Sequence, residues 1–158
     1  MFNTFNTFTI APEDPASPAA LALLEELSAV LEALTGSSGK ASFDADDVRA
    51  GGVFAVARAA DGALAGCGAL RRLDAGTAEL KRMYARPGHA GAGSALLAFL
   101  EARAAALGYR AVWLETRLVN RRAVRFYEAR AYRRIPNYGK YAGNPLALCF
   151  EKRLDAPA

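Results

Sequence analysis

The stretch RPGHAGAGS, positions 86–94, places three glycines and the chain's one histidine directly before the run ALLAFLEARAAAL. The first turn of a helix leaves main-chain N–H groups without intrahelical partners, and the peptide dipoles add partial positive charge there. Glycine lets an anionic group approach those amides closely. The stretch is therefore either a plain tight turn or a main-chain anion site running from Ala90 through Gly91, Ala92 and Gly93 to Ser94. It lacks the lysine of a G-x-x-x-x-G-K-[ST] loop and the spacing of G-x-G-x-x-G. His89 has no cysteine or histidine at ligand spacing, so no metal is expected. Cys67 and Cys149 lie far apart in apolar runs and read as buried, reduced thiols. Other candidate reactive groups are Glu79 in TAELKRMYAR, Glu115 in VWLET, Tyr127 in RFYEAR, and Tyr138 and Tyr141 in the aromatic and polar loop PNYGKYAGN.

The elements that must position these groups follow from periodicity and turn signals. TFTIA (7–11) reads as a strand. Ser17 can cap a helix that starts at Pro18, and Leu21, Leu23, Leu24, Leu27, Val30, Leu31 and Leu34 recur at helical spacing, so the spacing predicts a helix over 18–35. Residues 42–52 read as a short helical turn and loop. Strands are expected over 52–59 and 63–73, joined by the hairpin signal ADG, and over 77–86. A helix over 93–107, with Leu96, Leu97, Leu100, Ala104 and Leu107 on one face, leads to a strand over 108–116. A helix over 120–131 with Asn120 as cap and strands over 132–135 and 145–154 complete the chain. Antiparallel strands followed by β-α-β-α-β imply an α/β fold of the α+β kind. Its mixed sheet should be mostly antiparallel, with one parallel β-α-β pair and helices on both faces. In 77–86, Ala78 and Leu80 alternate cleanly, but the same period would turn Arg82 inward. A bulge near Arg82–Met83 repairs the pattern.

The 158 residues suit one domain, 1–158, with a sizeable core. Sixteen of the 20 basic residues are arginine, and the net charge is +4. That balance permits acidic partners, but the arginines are scattered and no nucleic-acid module signature is present, so no nucleic acid is expected. No signal peptide and no run of ~20 apolar residues is visible, so the expectation is a soluble, cytoplasmic protein without membrane contact. The oligomeric state is left open, a homodimer included.

ELKRMYARP, the glycine turn, ALLAFLEARAAALGY, VWLET and N-RRAV-RFYEARAYRRIP, in that order, resemble the GNAT superfamily of N-acetyltransferases, bacterial type. The likeness covers residues 77–154, and the order of the earlier elements fits too. It implies acetyl-CoA as cosubstrate, no metal, and transfer of acetyl to a primary amine of a small molecule or amino acid. It implies that the glycine turn, His89 to Ser94, holds the pyrophosphate. The bulged strand at Met83, Tyr84 and Ala85 would hold the pantetheine arm and thioester carbonyl, with Asn120 nearby. Tyr127 maps onto the family's general-acid tyrosine, although it could simply pack beside Phe126. Glu79 is the preferred general base and Glu115 its rival; either could be an ordinary salt-bridged carboxylate. Glu115, Tyr138 and Tyr141 are expected to border the acceptor pocket. One departure stands out. The family pattern has Arg or Gln, two residues, Gly, one residue, then Gly or Ala. Gly91 and Gly93 fit the last two places, but Gly88 occupies the Arg/Gln place. Arg86 is the candidate to supply part of the missing charge. A non-catalytic acyl-CoA-binding or regulatory module on the same scaffold is the alternative.

Overall fold

A computed structural model describes residues 7–154. Strand β1 (Phe8–Pro12) leads to helix α1 (Pro18–Thr35). The α1 ends follow from local chemistry: Ser17 accepts a hydrogen bond from the Ala20 N–H at 3.1 Å, and Gly36 closes the helix in the left-handed region at φ 83°. The buried stripe is narrower than the leucine spacing suggests. Leu23 and Leu27 are buried, whereas Leu21, Val30 and Leu34 are 55%, 48% and 43% exposed. Two short 3-10 turns, Lys40–Ser42 and Ala45–Val48, precede the antiparallel strands β2 (Val53–Ala59), β3 (Leu64–Arg72) and β4 (Thr77–Ala85).

Helix α2 (Ala92–Ala106) carries the chain over to β5 (Ala111–Arg117), which runs parallel to β4. Helix α3 (Arg121–Glu128), β6 (Arg133–Ile135) and β7 (Ala147–Arg153) follow. The seven strands are ordered β1-β2-β3-β4-β5-β7-β6. Only the β4–β5 pair is parallel. α3 stops three residues before the expected end at 131. The N–H groups of Arg130 and Tyr132 both turn back to the Tyr127 carbonyl, and Ala131 takes the left-handed conformation at φ 70°.

The two sheet faces have different partners. α1 covers Phe54, Val56, Cys67 and Ala69. α2 and α3 cover a larger cluster that includes Leu70, Leu80, Val112, Leu114 and Phe150. Leu96, Leu97 and Leu100 of α2 are fully buried, each worth about 1.5–3 kcal/mol of transfer free energy, whereas Leu107 is 47% exposed. α2 approaches closely because β3 is bare there. A methyl added to Gly68 would lie 2.8 Å from Leu100 and 2.5 Å from the Met83 sulfur.

The expected bulge is present. Between the pairs Cys67–Tyr84 and Ala69–Lys81, one residue of β3 faces two of β4, and Arg82 adopts φ 55°. The Arg82 side chain leaves the sheet for α1. Its guanidinium donates to the Leu24 carbonyl at 3.3 Å, the Ser28 hydroxyl at 2.5 Å and the Ser38 carbonyl at 3.1 Å.

Candidate active site

The site grows out of an incomplete strand pairing. β4 and β5 pair only from Thr77–Ala111 to Glu79–Trp113, and then separate. Arg86 N–H donates to Ala65 of β3. Because successive amides of a strand point to opposite edges, the N–H groups of Ala85 and Met83 point away from β3, into the gap that β5 leaves. The Tyr84 side chain lies on the α1 face, where its hydroxyl donates to Glu26 at 3.0 Å.

A cavity of about 180 Å³ fills this gap. Met83, Leu114, Asn120 and Tyr127 line one part of it, and Glu79, Lys81, Glu115, Arg117 and Tyr141 line the other. A second cavity, about 590 Å³, shares Glu79, Lys81 and Tyr141 and adds Arg71, Tyr138 and Lys140. Among the predicted residues, Tyr127, Glu79, Met83, Asn120, Glu115 and Tyr141 thus meet at one cavity, and Tyr138 borders its neighbour. The glycine turn lies outside both cavities.

Tyr127 is 7% exposed. Its ring packs edge-on against Phe126 and Tyr132, at 5.1 and 5.4 Å between centroids, so packing and access to the cavity are both true of it. Burial pushes its phenol well above the ordinary value and keeps it protonated. Asn120 caps α3 by accepting from the Ala123 N–H at 3.2 Å.

The two carboxylates differ sharply. Glu79 is 2% exposed and fully engaged. Its Oε1 accepts from Arg71 Nε at 2.6 Å, and its Oε2 accepts from the Tyr138 hydroxyl at 2.5 Å. Glu115 lies two residues beyond the last β4–β5 pair, on the same sheet face. Its Oε2 is 3.1 Å from Arg117 Nη1, an ion-pair distance, but the angles miss hydrogen-bond geometry, and both buried atoms lack a hydrogen-bond partner among the described residues. Burial raises the Glu115 carboxyl above the usual range, against the lowering pull of Arg117 and Lys81.

Tyr138 also packs at a tilt against Trp113, at 4.9 Å between ring centroids, and edge-on against Tyr141, at 5.6 Å, which fixes the loop between β6 and β7 over the sheet. Cys149 beneath that loop is fully buried, and burial pushes Cys67 up to about 12.

At the glycine turn, Gly91 caps α2 at φ 92°, and Ala92 donates to the His89 carbonyl at 3.1 Å. Gly93 and Ser94 follow in the first turn, where no intrahelical carbonyl reaches the amides. Arg86 does not supply the missing charge. Its guanidinium is committed to Glu26, at 2.7 and 3.0 Å, and to the Leu64 carbonyl. The cation beside the turn is Arg130, which sequence reasoning missed. It donates to the Ser94 hydroxyl, lies 3.8 Å over the Phe126 ring, and bonds the Phe126 carbonyl at 3.0 Å. No spacing signal links residues 94 and 130; only the packing of α3 beside α2 does.

These features, a bulged strand splayed from its parallel neighbour and a glycine turn opening the crossover helix, define an acyl-CoA-dependent transferase scaffold. Residues 21–132 match the model of the acetyltransferase (GNAT) family, and the chain belongs to that family. It is 35% identical to an "IAA acetyltransferase" of Azospirillum brasilense over 104 residues, covering 64% of this chain and 67% of that one. A Klebsiella pneumoniae protein assigned as an acyl-CoA N-acyltransferase superposes with TM-score 0.79 at 28% identity, over 93% of this chain and 97% of that one. An Elizabethkingia anophelis GNAT acetyltransferase that holds acetyl-CoA shares the fold, with TM-score 0.68 at 17% identity over 92% and 97%. The family's activity is acetyl transfer from acetyl-CoA. The residues present fit that donor: an unpaired strand edge at Met83 and Ala85 continues toward a helix start flanked by Arg130. Among the described residues no helix is long and apolar enough to cross a membrane.

Proposed function

We propose that this protein acetylates the amine of a small molecule, with Glu115 as general base and Tyr127 as the donor to the departing sulfur. One observation carries the reading: a single cavity in the sheet gap brings a protonated tyrosine from α3 and an unsatisfied carboxylate from β5 to the same space. Acetyl-CoA, when bound, supplies the electrophilic thioester. The Met83 and Ala85 N–H groups are the donors for the pantetheine arm and the carbonyl oxygen, whose charge grows in the tetrahedral state. Gly91, Ala92, Gly93 and Ser94 offer the pyrophosphate a helix start, and Arg130 brings the positive charge that Gly88 lacks.

An ammonium has no lone pair, so the acceptor must first lose a proton. Both oxygens of Glu79 already accept charge-assisted or short hydrogen bonds, which leaves neither free to take a substrate proton and makes it an anchor. Glu115 has an oxygen without such a bond and a carboxyl raised toward neutrality, which favours it for the role. The Tyr127 phenol titrates above a thiol, so complete proton transfer from it is uphill. Its contribution is a hydrogen bond to the sulfur as negative charge develops there.

Thiol release from acetyl-CoA with a panel of amines tests the reading; the compound that names the Azospirillum relative, IAA, belongs in the same panel. Tyr127→Phe is expected to lower kcat about 100-fold with little change in either KM. An unchanged kcat removes Tyr127 from the chemistry. Coenzyme A binding without thiol release for any acceptor would point to the non-catalytic module instead.

A further inference from the structure

We propose that the acceptor carries a carboxylate as well as its amine, and that Lys81 and Arg117 bind that carboxylate. This rests on the transfer reading above and names its substrate class.

Three cations line the gap cavity: Lys81, Arg82 and Arg117. Arg82 is spent on α1 and the loop after it, where it bonds the Leu24 and Ser38 carbonyls and the Ser28 hydroxyl. Two carboxylates face the same space. Glu79 is spent on Arg71 and Tyr138. What remains is the Glu115–Arg117 ion pair, which lacks hydrogen-bond geometry, and Lys81, a surplus of one positive charge.

Lys81 is largely buried, Arg117 is partly buried with one nitrogen sealed from solvent, and both are underused. The Lys81 side chain is only 8% exposed, yet its nearest anion is Glu79 Oε1 at 3.7 Å, beyond hydrogen-bond distance and already held by Arg71. Its ammonium makes no hydrogen bond to any described residue. Arg117 Nη1 is a buried atom without a hydrogen-bond partner among the described residues, because its approach to Glu115 misses the required angles. Buried donors left unpaired are costly, and a buried cation gains most from a hydrogen-bonded anion. Burial also holds the Lys81 amine below its ordinary pKa, a displacement that an arriving anion would reverse.

A simple alkylamine answers only Glu115 and leaves the surplus positive charge in place. A molecule with both groups answers all three side chains: its amine faces Glu115, and its carboxylate faces Lys81 and Arg117. Lys81 lies on β4 and Arg117 on β5, so the carboxylate would bridge the two strands across the gap, which orients the amine relative to the thioester cradle.

The test compares matched acceptors: amino acids, their amides, their decarboxylated amines, and amines bearing a phosphate monoester. Selectivity is read as kcat/KM for thiol release, and also by calorimetric binding to the protein–coenzyme A complex, which needs no turnover. Carboxylate-bearing acceptors are expected to exceed their amides and decarboxylated partners by about 10- to 100-fold, the range of one charge-assisted hydrogen bond. Lys81→Met and Arg117→Met should each shrink that ratio about tenfold, and Lys81→Arg should retain most of it. Unchanged KM for acetyl-CoA shows that each variant is folded. Equal or better use of carboxylate-free amines overturns the inference while leaving the transferase reading intact, as does a ratio indifferent to both Met variants. Preference for the phosphate monoester overturns the carboxylate assignment. Carboxylate-selective binding without thiol release would keep the inference and sink the transfer reading.

Discussion

Tyr138→Phe isolates the hydrogen bond that ties the acceptor loop to the sheet. The substitution removes the hydroxyl 2.5 Å from Glu79 Oε2 and keeps the ring that packs against Trp113 at 4.9 Å. The phenol is raised by burial and by Glu79, so it stays a donor throughout any practical assay range. A hydrogen bond to a charged acceptor is worth about 1.5–3 kcal/mol, and its loss leaves one oxygen of a 2%-exposed carboxylate unsatisfied. We expect about 2 kcal/mol of destabilisation, which for a chain of this size lowers Tm by about 4–8 °C. If the loop between β6 and β7 is released by the same amount, acceptor KM rises by up to ~30-fold while acetyl-CoA KM stays constant. Glu79→Gln can still accept from Arg71, whose guanidinium keeps that bond charge-assisted, and donate to Tyr138, where the bond becomes neutral at about 1 kcal/mol. Because the two residues share one bond, the double variant should be less destabilised than the sum of the singles by about 1 kcal/mol. Thermal unfolding and steady-state kinetics read all three variants. A Tyr138→Phe protein with Tm within about 1 °C of the parent and an unchanged acceptor KM would refute the anchoring argument, and additive singles would refute the shared bond.

Glu115→Gln should lower kcat by about 100-fold or more and abolish the acid limb of the pH–rate profile, whose midpoint in the parent lies above the ordinary glutamate value. The stability sign runs the other way: the fold favours the protonated carboxyl more than the unfolded chain does, so its stabilising effect is lost as pH rises through the raised pKa. Glu115→Gln is therefore expected to hold or raise Tm at neutral pH, and a large fall in Tm would contradict this. Ala131→Gly relieves a left-handed alanine at φ 70° and should stabilise by about 1 kcal/mol, raising Tm by about 2–4 °C; a lower Tm would show that the methyl is needed there.

Much of the scaffold was legible because its signals are local. Ser17, Pro18 and Gly36 fix both ends of α1, and the broken alternation after Leu80 locates the bulge at Arg82. The end of α3 was not legible, since nothing in the sequence announces an alanine in a conformation usually left to glycine. Which exposed apolar residues face the sheet was also hidden: periodicity places Leu21, Val30 and Leu34 near the stripe but not within reach of it. At the site, residue type identified the chemistry while pairing decided the roles. Arg86 and Arg130 look equivalent in sequence, yet only the second reaches the glycine turn. Glu79 and Glu115 look equivalent too, and only hydrogen-bond geometry separates an anchored carboxylate from one that is ion-paired but not hydrogen-bonded.

The gap between β4 and β5 makes the sheet a porous partition. Leu80 and Leu114 border the opening on the side of α2, and Glu79, Lys81 and Glu115 border it on the other. On the proposed reading, donor and acceptor would enter from opposite faces and meet in the wall, with neither queuing behind the other. The exchange would then be direct, and Cys67 and Cys149, both sealed away, would carry no acyl cargo.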